Sequence, residues 1–364
     1  MPIELVPQDC PLCKCRESTA VCQIADPTYG VEGSFQVVHC RECRHLFLNP
    51  RPSDSSLMDC YPQNYAPYEL GTNDEAAISA DARTTANAAT TPDVDPTAGG
   101  QDENGQSEPQ QSAPPWRRVL RVIPGLRSFL FWLGQEHATV LPSPPSSGKA
   151  RLLEIGCAHG GYLERAKEAG WTVDGVEPNE AAAKTARNRG LQVASGFLHE
   201  SEIGKDQREC VVMWMVLEHV PDPKETLERI SEILDEGGTL VFSVPNAATW
   251  ERWLFGRFWL GYDAPRHLQV FSAKSVSRLL RDCGFSEIRI IHQANSRYWW
   301  GSIAAWGAVR FPNRTWPARW MEYFKNEPPR YWNWLLVIPA KLSALLRCSG
   351  RITVVAKNAK HEKR

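Results

Sequence analysis

A chain of 364 residues and 40.9 kDa has room for two or three domains, and 42% hydrophobic with 23% charged residues excludes a fully disordered or fibrous chain. A net charge of -1 argues against nucleic-acid binding through bulk positive charge. The longest uncharged apolar runs, around Phe129 to Leu133 and Leu335 to Ala340, fall short of the roughly 18 residues of a membrane-spanning helix. The first residues carry Glu4 and Asp9 and no Lys or Arg up to Cys13, unlike a secretory signal. The expected location is the cytoplasm, where regularly spaced cysteines indicate metal binding more than disulfides.

Seven of the 11 cysteines stand at 10, 13, 15, 22, 40, 43 and 60, which marks an N-terminal module over residues 1–68. Cys10-Pro11-Leu12-Cys13 and Cys40-Arg41-Glu42-Cys43 form two C-x2-C knuckles, and four such thiolates close a tetrahedral zinc site with no open position, hence a structural one. Cys15 and Cys22 are competing donors. Residues 69–115 contain no aromatic side chain and carry a net charge of -8. That composition predicts a disordered acidic linker, because it cannot bury enough apolar surface to offset its ordering entropy. Trp116 to Leu133 is basic and amphipathic.

From Arg151 onward short apolar runs alternate with amphipathic stretches, the pattern of an α/β domain with helices wrapped about a mostly parallel sheet. Strands are predicted at Arg151 to Ile155, Thr172 to Glu177, Leu191 to Ala194, Cys210 to Val216, Gly238 to Val244, Phe285 to His292 and Arg351 to Lys357. Helices are predicted near Gly161 to Ala169, Asn179 to Asn188, Pro223 to Leu234 and Ala273 to Cys283. The first strand runs into Gly156-Cys157-Ala158-His159-Gly160-Gly161, whose small residues let the backbone turn sharply and approach a ligand. The second strand ends in Glu177, where a carboxylate can accept both hydroxyls of a ribose. A nicotinamide dinucleotide site competes on the turn alone, since Gly156, Ala158 and Gly161 nominally supply its three small residues.

Glu154-x-Gly156-x-Ala158-x-Gly160, Glu177-Pro178 and Val216-Leu217-Glu218-His219-Val220-Pro221-Asp222-Pro223 resemble the class I S-adenosylmethionine-dependent methyltransferases. Within them the sequence resembles the branch with an N-terminal zinc ribbon, related to the sugar C-methyltransferases. Ala158 departs from the glycine that many members have. The resemblance implies a Rossmann-like, seven-stranded doubly wound sheet over residues 116–364 with a small N-terminal zinc ribbon. It also implies S-adenosyl-L-methionine as cofactor, held by Glu154, Gly156, Ala158, Gly160, Glu177, Pro178, Gly196 and Leu217, with structural Zn2+ on Cys10, Cys13, Cys40 and Cys43. The Leu217-Glu218-His219 block weighs against the dinucleotide.

Glu218 and His219 follow the fourth strand, where a doubly wound sheet opens its crevice, and His267 lies in Asp263-Ala264-Pro265-Arg266-His267, which resembles a family motif facing the same crevice. Glu218, His219 and His267 are the candidate catalytic residues; an imidazole there could take a proton from the acceptor, or each histidine could simply hold its loop. His159 is read as shaping the cofactor turn.

A tryptophan-rich cap is expected at about 293–349, with Trp299, Trp300, Trp306, Trp316, Trp320, Trp332 and Trp334. From Arg297 to Arg364 the net charge is +10. Two readings stand: an aromatic lid over the acceptor, or peripheral contact with the inner membrane face through tryptophan and arginine. The predicted function is methyl transfer to a small-molecule, sugar or lipid-linked glycan acceptor. The alternatives are a binding or scaffold protein that keeps cofactor affinity without turnover, and a nucleic-acid methyltransferase, against which stands the absence of an Asn/Asp-Pro-Pro-aromatic tetrapeptide after the fourth strand.

Overall fold

The computed structural model describes residues 3–62, 65, 140–146, 150–201, 207–325 and 330–359, with side chains at all of these but 330–335. The predicted linker and the amphipathic stretch from Trp116 to Leu133 lie outside the described residues. Residues 1–69 and 136–364 gather into one compact unit.

The N-terminal segment holds β1 (Leu5–Val6), β2 (Ser18–Ile24), β3 (Phe35–Cys40), β4 (Leu46–Leu48) and β5 (Arg51–Pro52). β1 pairs with β5, and β2, β3 and β4 form an antiparallel meander. The following elements are β6 (Arg151–Ile155), α1 (Gly161–Glu168), β7 (Thr172–Glu177), α2 (Glu180–Asn188), β8 (Gln192–Ser195), β9 (Arg208–Trp214), α3 (Pro223–Ile233) and β10 (Leu234–Pro245). After them come α4 (Trp250–Phe255), β11 (Gln269–Val270), α5 (Ala273–Asp282), β12 (Phe285–His292), α6 (Arg297–Arg310), α7 (Trp316–Lys325), α8 (Arg330–Leu345) and β13 (Arg351–Asn358).

Seven strands form one sheet in the order β12-β13-β10-β9-β6-β7-β8. β10, β9, β6, β7 and β8 run parallel, and β13 lies antiparallel between β10 and β12. The sheet is therefore mixed, and its inner strands β6, β9, β10 and β13 are largely buried on both faces, as a helix-covered sheet requires. Val211 and Met213 of β9 pack with α3 and α5 on one side, while Val212 between them packs with α1 and α2 on the other. Helix starts follow the sequence closely: Asp222 accepts the N–H groups of Lys224 and Glu225 with Pro223 at the first helical position, and Ser272 and Ser275 make a reciprocal capping box for α5. Each satisfies donors that a helix start leaves open.

The meander does not close on itself. β11, a two-residue strand from the segment between β10 and α5, adds to its edge through Gln269 opposite Phe47 and Val270 opposite Leu46. Phe35, Val37 and Leu46 of the meander share one apolar cluster with Trp259, Tyr262 and Val270. The cysteine-rich segment, which composition alone sets apart, thus buries its inner face against the loop that carries His267.

Candidate functional site

The turn after β6 needs its small residues for two separate reasons. Gly156 has φ +73°, and a Cβ there would lie 2.6 Å from Val216 Cγ2; at Gly160, φ +88°, it would lie 2.3 Å from Leu191 Cδ1. Ala158, the departure from glycine, also takes a left-handed φ of 45°, a conformation that costs an L-residue free energy. Glu177 holds it there. Its Oε2 accepts the Ala158 N–H and its Oε1 the Asn179 N–H, each at 2.8 Å, so the carboxylate fixes the turn while each oxygen keeps a further lone pair. Burial raises the Glu177 pKa, against the lowering effect of those two N–H groups.

These residues border a cavity of about 1020 Å³ at the carboxyl ends of β6, β7 and β9. Gly156, Ala158, Glu177, Pro178 and Gly196 line it, as the sequence predicts, together with Phe197, Trp214 and Met215, which sequence reasoning missed. Leu217, expected at the cofactor, packs instead in the core beside β9 and β10. The reason is local geometry: the chain leaves β9 through Met215 at φ 58°, which leaves Met215 and Val216 lining the cavity and Leu217 inside. Glu154 is buried, with Oε2 lacking a hydrogen-bond partner among the described residues. Burial, with Glu177 nearby, pushes its pKa up to about 8.

Glu218, His219 and His267 come together, each with a potential ligand or acceptor atom within 4.8 Å of the others. The two imidazoles meet edge to face at 4.7 Å between centroids. His267 Nδ1 lies 3.0 Å from the Gly261 carbonyl, and His219 Nδ1 lies 3.0 Å from the Arg266 carbonyl. A carbonyl only accepts, so His267 Nδ1 carries the proton and its Nε2 keeps its lone pair, and His219 takes the same form when its Nδ1 donates to the Arg266 carbonyl. Tyr61 Oη stands 2.9 Å from His219 Nδ1, a contact from the N-terminal segment; Tyr61-Pro62-x-x-Tyr65 resembles a family segment joining ribbon and core, which does not by itself give this partner. Burial, reinforced by His267, pushes His219 down to about 3, and burial lowers His267 too, against Asp263. Glu218 is fully buried and pushed up to about 8 by that burial. Asp263 is held at about 2 despite burial, because Arg266 binds it through two nitrogens.

A second cavity, of about 170 Å³, lies beyond His219 and is lined by His267, Asp263, Tyr298, Phe324 and Arg297 among others; Met215, Tyr65 and His219 border both cavities. Tyr298 and Phe324 come from α6 and α7, so part of the predicted cap does form a wall of this space. Trp299 and Trp300 are buried within the cap.

The two cysteine knuckles have the same construction. Lys14 N–H donates to the Cys10 carbonyl at 2.8 Å and Arg44 N–H to the Cys40 carbonyl at 3.1 Å; Lys14 and Arg44 both take a left-handed φ, 58° and 62°. Sγ atoms approach at 3.5 Å between Cys10 and Cys43 and 3.4 Å between Cys13 and Cys40, and all four lie within 4.8 Å. Zn–S bonds of about 2.3 Å in a tetrahedron need sulfurs about 3.8 Å apart, so the four soft donors suit zinc. Cys22 packs instead with Phe35 and Tyr262, and Cys15 Sγ faces the Glu17 carbonyl.

Residues 127–289 match a family model described as a methyltransferase domain. A probable S-adenosylmethionine-dependent methyltransferase of Mycolicibacterium smegmatis is 25% identical over 170 residues, 45% of this chain and 63% of that one. A ubiquinone biosynthesis O-methyltransferase of Idiomarina loihiensis is 32% identical over 113 residues, 29% of this chain and 46% of that one. The chain spans less than two thirds of these relatives. Among solved structures, an S-adenosylmethionine-dependent methyltransferase from Archaeoglobus fulgidus has 17% identity and a TM-score of 0.39, covering 66% of this chain and 94% of that one. Over residues 127–289 the chain is thus similar to S-adenosylmethionine-dependent methyltransferases, and the described part of that segment contributes to a mixed seven-stranded sheet.

Proposed function

We propose that the protein transfers a methyl group from S-adenosylmethionine to a small-molecule, sugar or lipid-linked acceptor. The observation that carries this reading is the Glu177 carboxylate bracing the Ala158 turn at the edge of a cavity that shares His219 as a wall with a second one. Gly156, Ala158 and Gly160 of the turn would receive the methionine end, Glu177 and Pro178 the ribose, Gly196 would border the cofactor beyond β7, and buried Glu154 would support the turn from behind. The cofactor supplies a methyl group already activated on sulfur. The work left to the chain is to align the acceptor and exclude water.

His219 or His267 would take the acceptor's proton at Nε2, the nitrogen left with a lone pair when Nδ1 donates to a carbonyl. A neutral imidazole is the form a base requires, and burial favours that form at both positions. Glu218, largely protonated, would brace the pair. Structural zinc on Cys10, Cys13, Cys40 and Cys43 would hold the N-terminal sheet that carries Tyr61 toward the site, in a cytoplasmic protein.

The test is calorimetry with S-adenosylmethionine and NAD, followed by mass spectrometry of cell extract incubated with protein and isotopically labelled cofactor. Cofactor binding and a labelled product are expected. Binding of NAD without S-adenosylmethionine would overturn the assignment.

A further inference from the structure

Trp299 and Trp300 of α6 are absorbed by the fold, Trp300 being only 1% exposed, whereas Trp253 of α4 is 85% exposed with Leu254 beside it. A second exposed apolar row lies on α8. Ile338, Leu342, Leu345 and Leu346 face solvent at i, i+4, i+7 and i+8, one side of a helix, while Val337, Ala340 and Ser343 are buried on the other. The two helices are linked where they meet: Trp250 Nε1 donates to Ser343 Oγ at 2.6 Å, and Thr249 Oγ1 donates to the Cys348 carbonyl at 2.8 Å. A helix apolar on its outer as well as its inner side marks a contact surface.

The exposed charges just past the two helices have one sign: Arg257 follows α4 and Arg347 follows α8, both exposed. Glu251, the one acid of α4, is turned inward and accepts the Gly350 N–H at 3.1 Å. No Asp or Glu occurs from Arg330 to Ala359. Apolar side chains with exposed arginines at the ends of the same helices complement an anionic lipid surface, where tryptophan sits at headgroup level, leucines enter the acyl boundary and arginines meet phosphate. No described helix is long and apolar enough to cross a membrane, so the contact is with one leaflet.

We propose that the α4–α8 face seats the protein on an anionic bilayer. The inference deepens the lipid-linked version of the acceptor reading. Lipid binding is measured without methyl transfer, so either can fail alone.

The experiment is flotation of the full chain with vesicles of phosphatidylcholine alone and of phosphatidylcholine mixed with phosphatidylglycerol, alongside sedimentation velocity without lipid. Wild-type protein should float with the mixed vesicles and hardly at all with the neutral ones. Trp253→Ser combined with Leu345→Ser should weaken binding by about tenfold or more. Arg257→Glu with Arg347→Glu, surface changes that leave the apolar face whole, should weaken binding to mixed vesicles by a similar factor, about tenfold. Melting temperature and S-adenosylmethionine affinity, unchanged in both, serve as the folding control. Absence of binding to either vesicle, equal binding to both, or a dimer in solution that Trp253→Ser dissolves would overturn the proposal, the last by making a second copy the occupant.

Discussion

Arg266 and Asp26, 240 residues apart, form a two-pronged ion pair with both side chains fully excluded from water, at 2.7 and 2.9 Å. Asp26 also accepts the N–H groups of Thr28 and Tyr29, and Arg266 also holds Asp263 and reaches the Cys60 carbonyl at 3.4 Å. One guanidinium therefore ties the N-terminal segment to the loop bearing His267. Removing one partner strands a buried charge. Arg266→Ala, which strands two carboxylates, should cost about 3 to 5 kcal/mol or more, and Asp26→Ala, which leaves Asp263 in place, should fall near the lower end of that range. Urea denaturation measures both, and a loss below about 1 kcal/mol for Arg266→Ala would contradict the pairing.

One zinc per chain is expected on Cys10, Cys13, Cys40 and Cys43. Metal analysis should show it lost in Cys40→Ser and retained in Cys15→Ser. Because β4 pairs with β11, chelation should also speed amide exchange at Gln269 and Val270. Full metal content in Cys40→Ser, or exchange confined to the first sheet, would count against this.

Glu177→Ala should weaken S-adenosylmethionine binding by about 1.5 to 3 kcal/mol, the cost of losing a charged hydrogen-bond partner. It also frees the Ala158 and Asn179 N–H groups, so Glu177→Gln, able to accept from only one of them, should fall between. Gly156→Ala should weaken binding as well, since its Cβ would press on Val216. Calorimetry giving wild-type affinity for Glu177→Ala would refute the role.

Stability should peak at mildly acidic pH. Glu154 and Glu218 are raised to about 8 and Glu251 to about 7 from 4.5, so they stay protonated in the fold; stability declines as pH rises from the unfolded value through those pKa values. His219, lowered to about 3 from 6.5, acts oppositely: the fold loses stability as pH falls below 6.5 toward 3. Thermal melts across this range should show the maximum, and Glu218→Gln should flatten the alkaline side. A melting temperature that rises steadily from pH 5 to 8 would exclude these protonation states.

Much of the sheet is legible because its inner strands are apolar on both faces and its helices start at Asp222, Asn179 and Ser272, residues whose side chains fix a helix start by local chemistry. Three of the seven predicted strand ranges, at Arg151, Thr172 and Phe285, coincide with those observed. The Gly156 turn was legible for the same reason, being dictated within a few residues. What escaped depends on distance in sequence. Tyr61 reaches His219 across 158 residues, and β11 is two residues long, too short for any period to register. Leu217 was misplaced since a single left-handed residue, Met215, shifts which neighbours face the cavity.

The β4–β11 pairing joins stretches of chain on opposite sides of residues 70–135. The body that contains the candidate site is thus assembled from two discontinuous pieces held by hydrogen bonds, a shared apolar cluster and the Asp26–Arg266 pair. A protease site introduced between residues 70 and 135 should, once cut, yield two polypeptides that migrate together under native conditions and part only in denaturant. Native mass spectrometry of the nicked protein reads this directly, and the protein should be amenable to fragment complementation, each piece lacking a partner for its buried face until the other arrives.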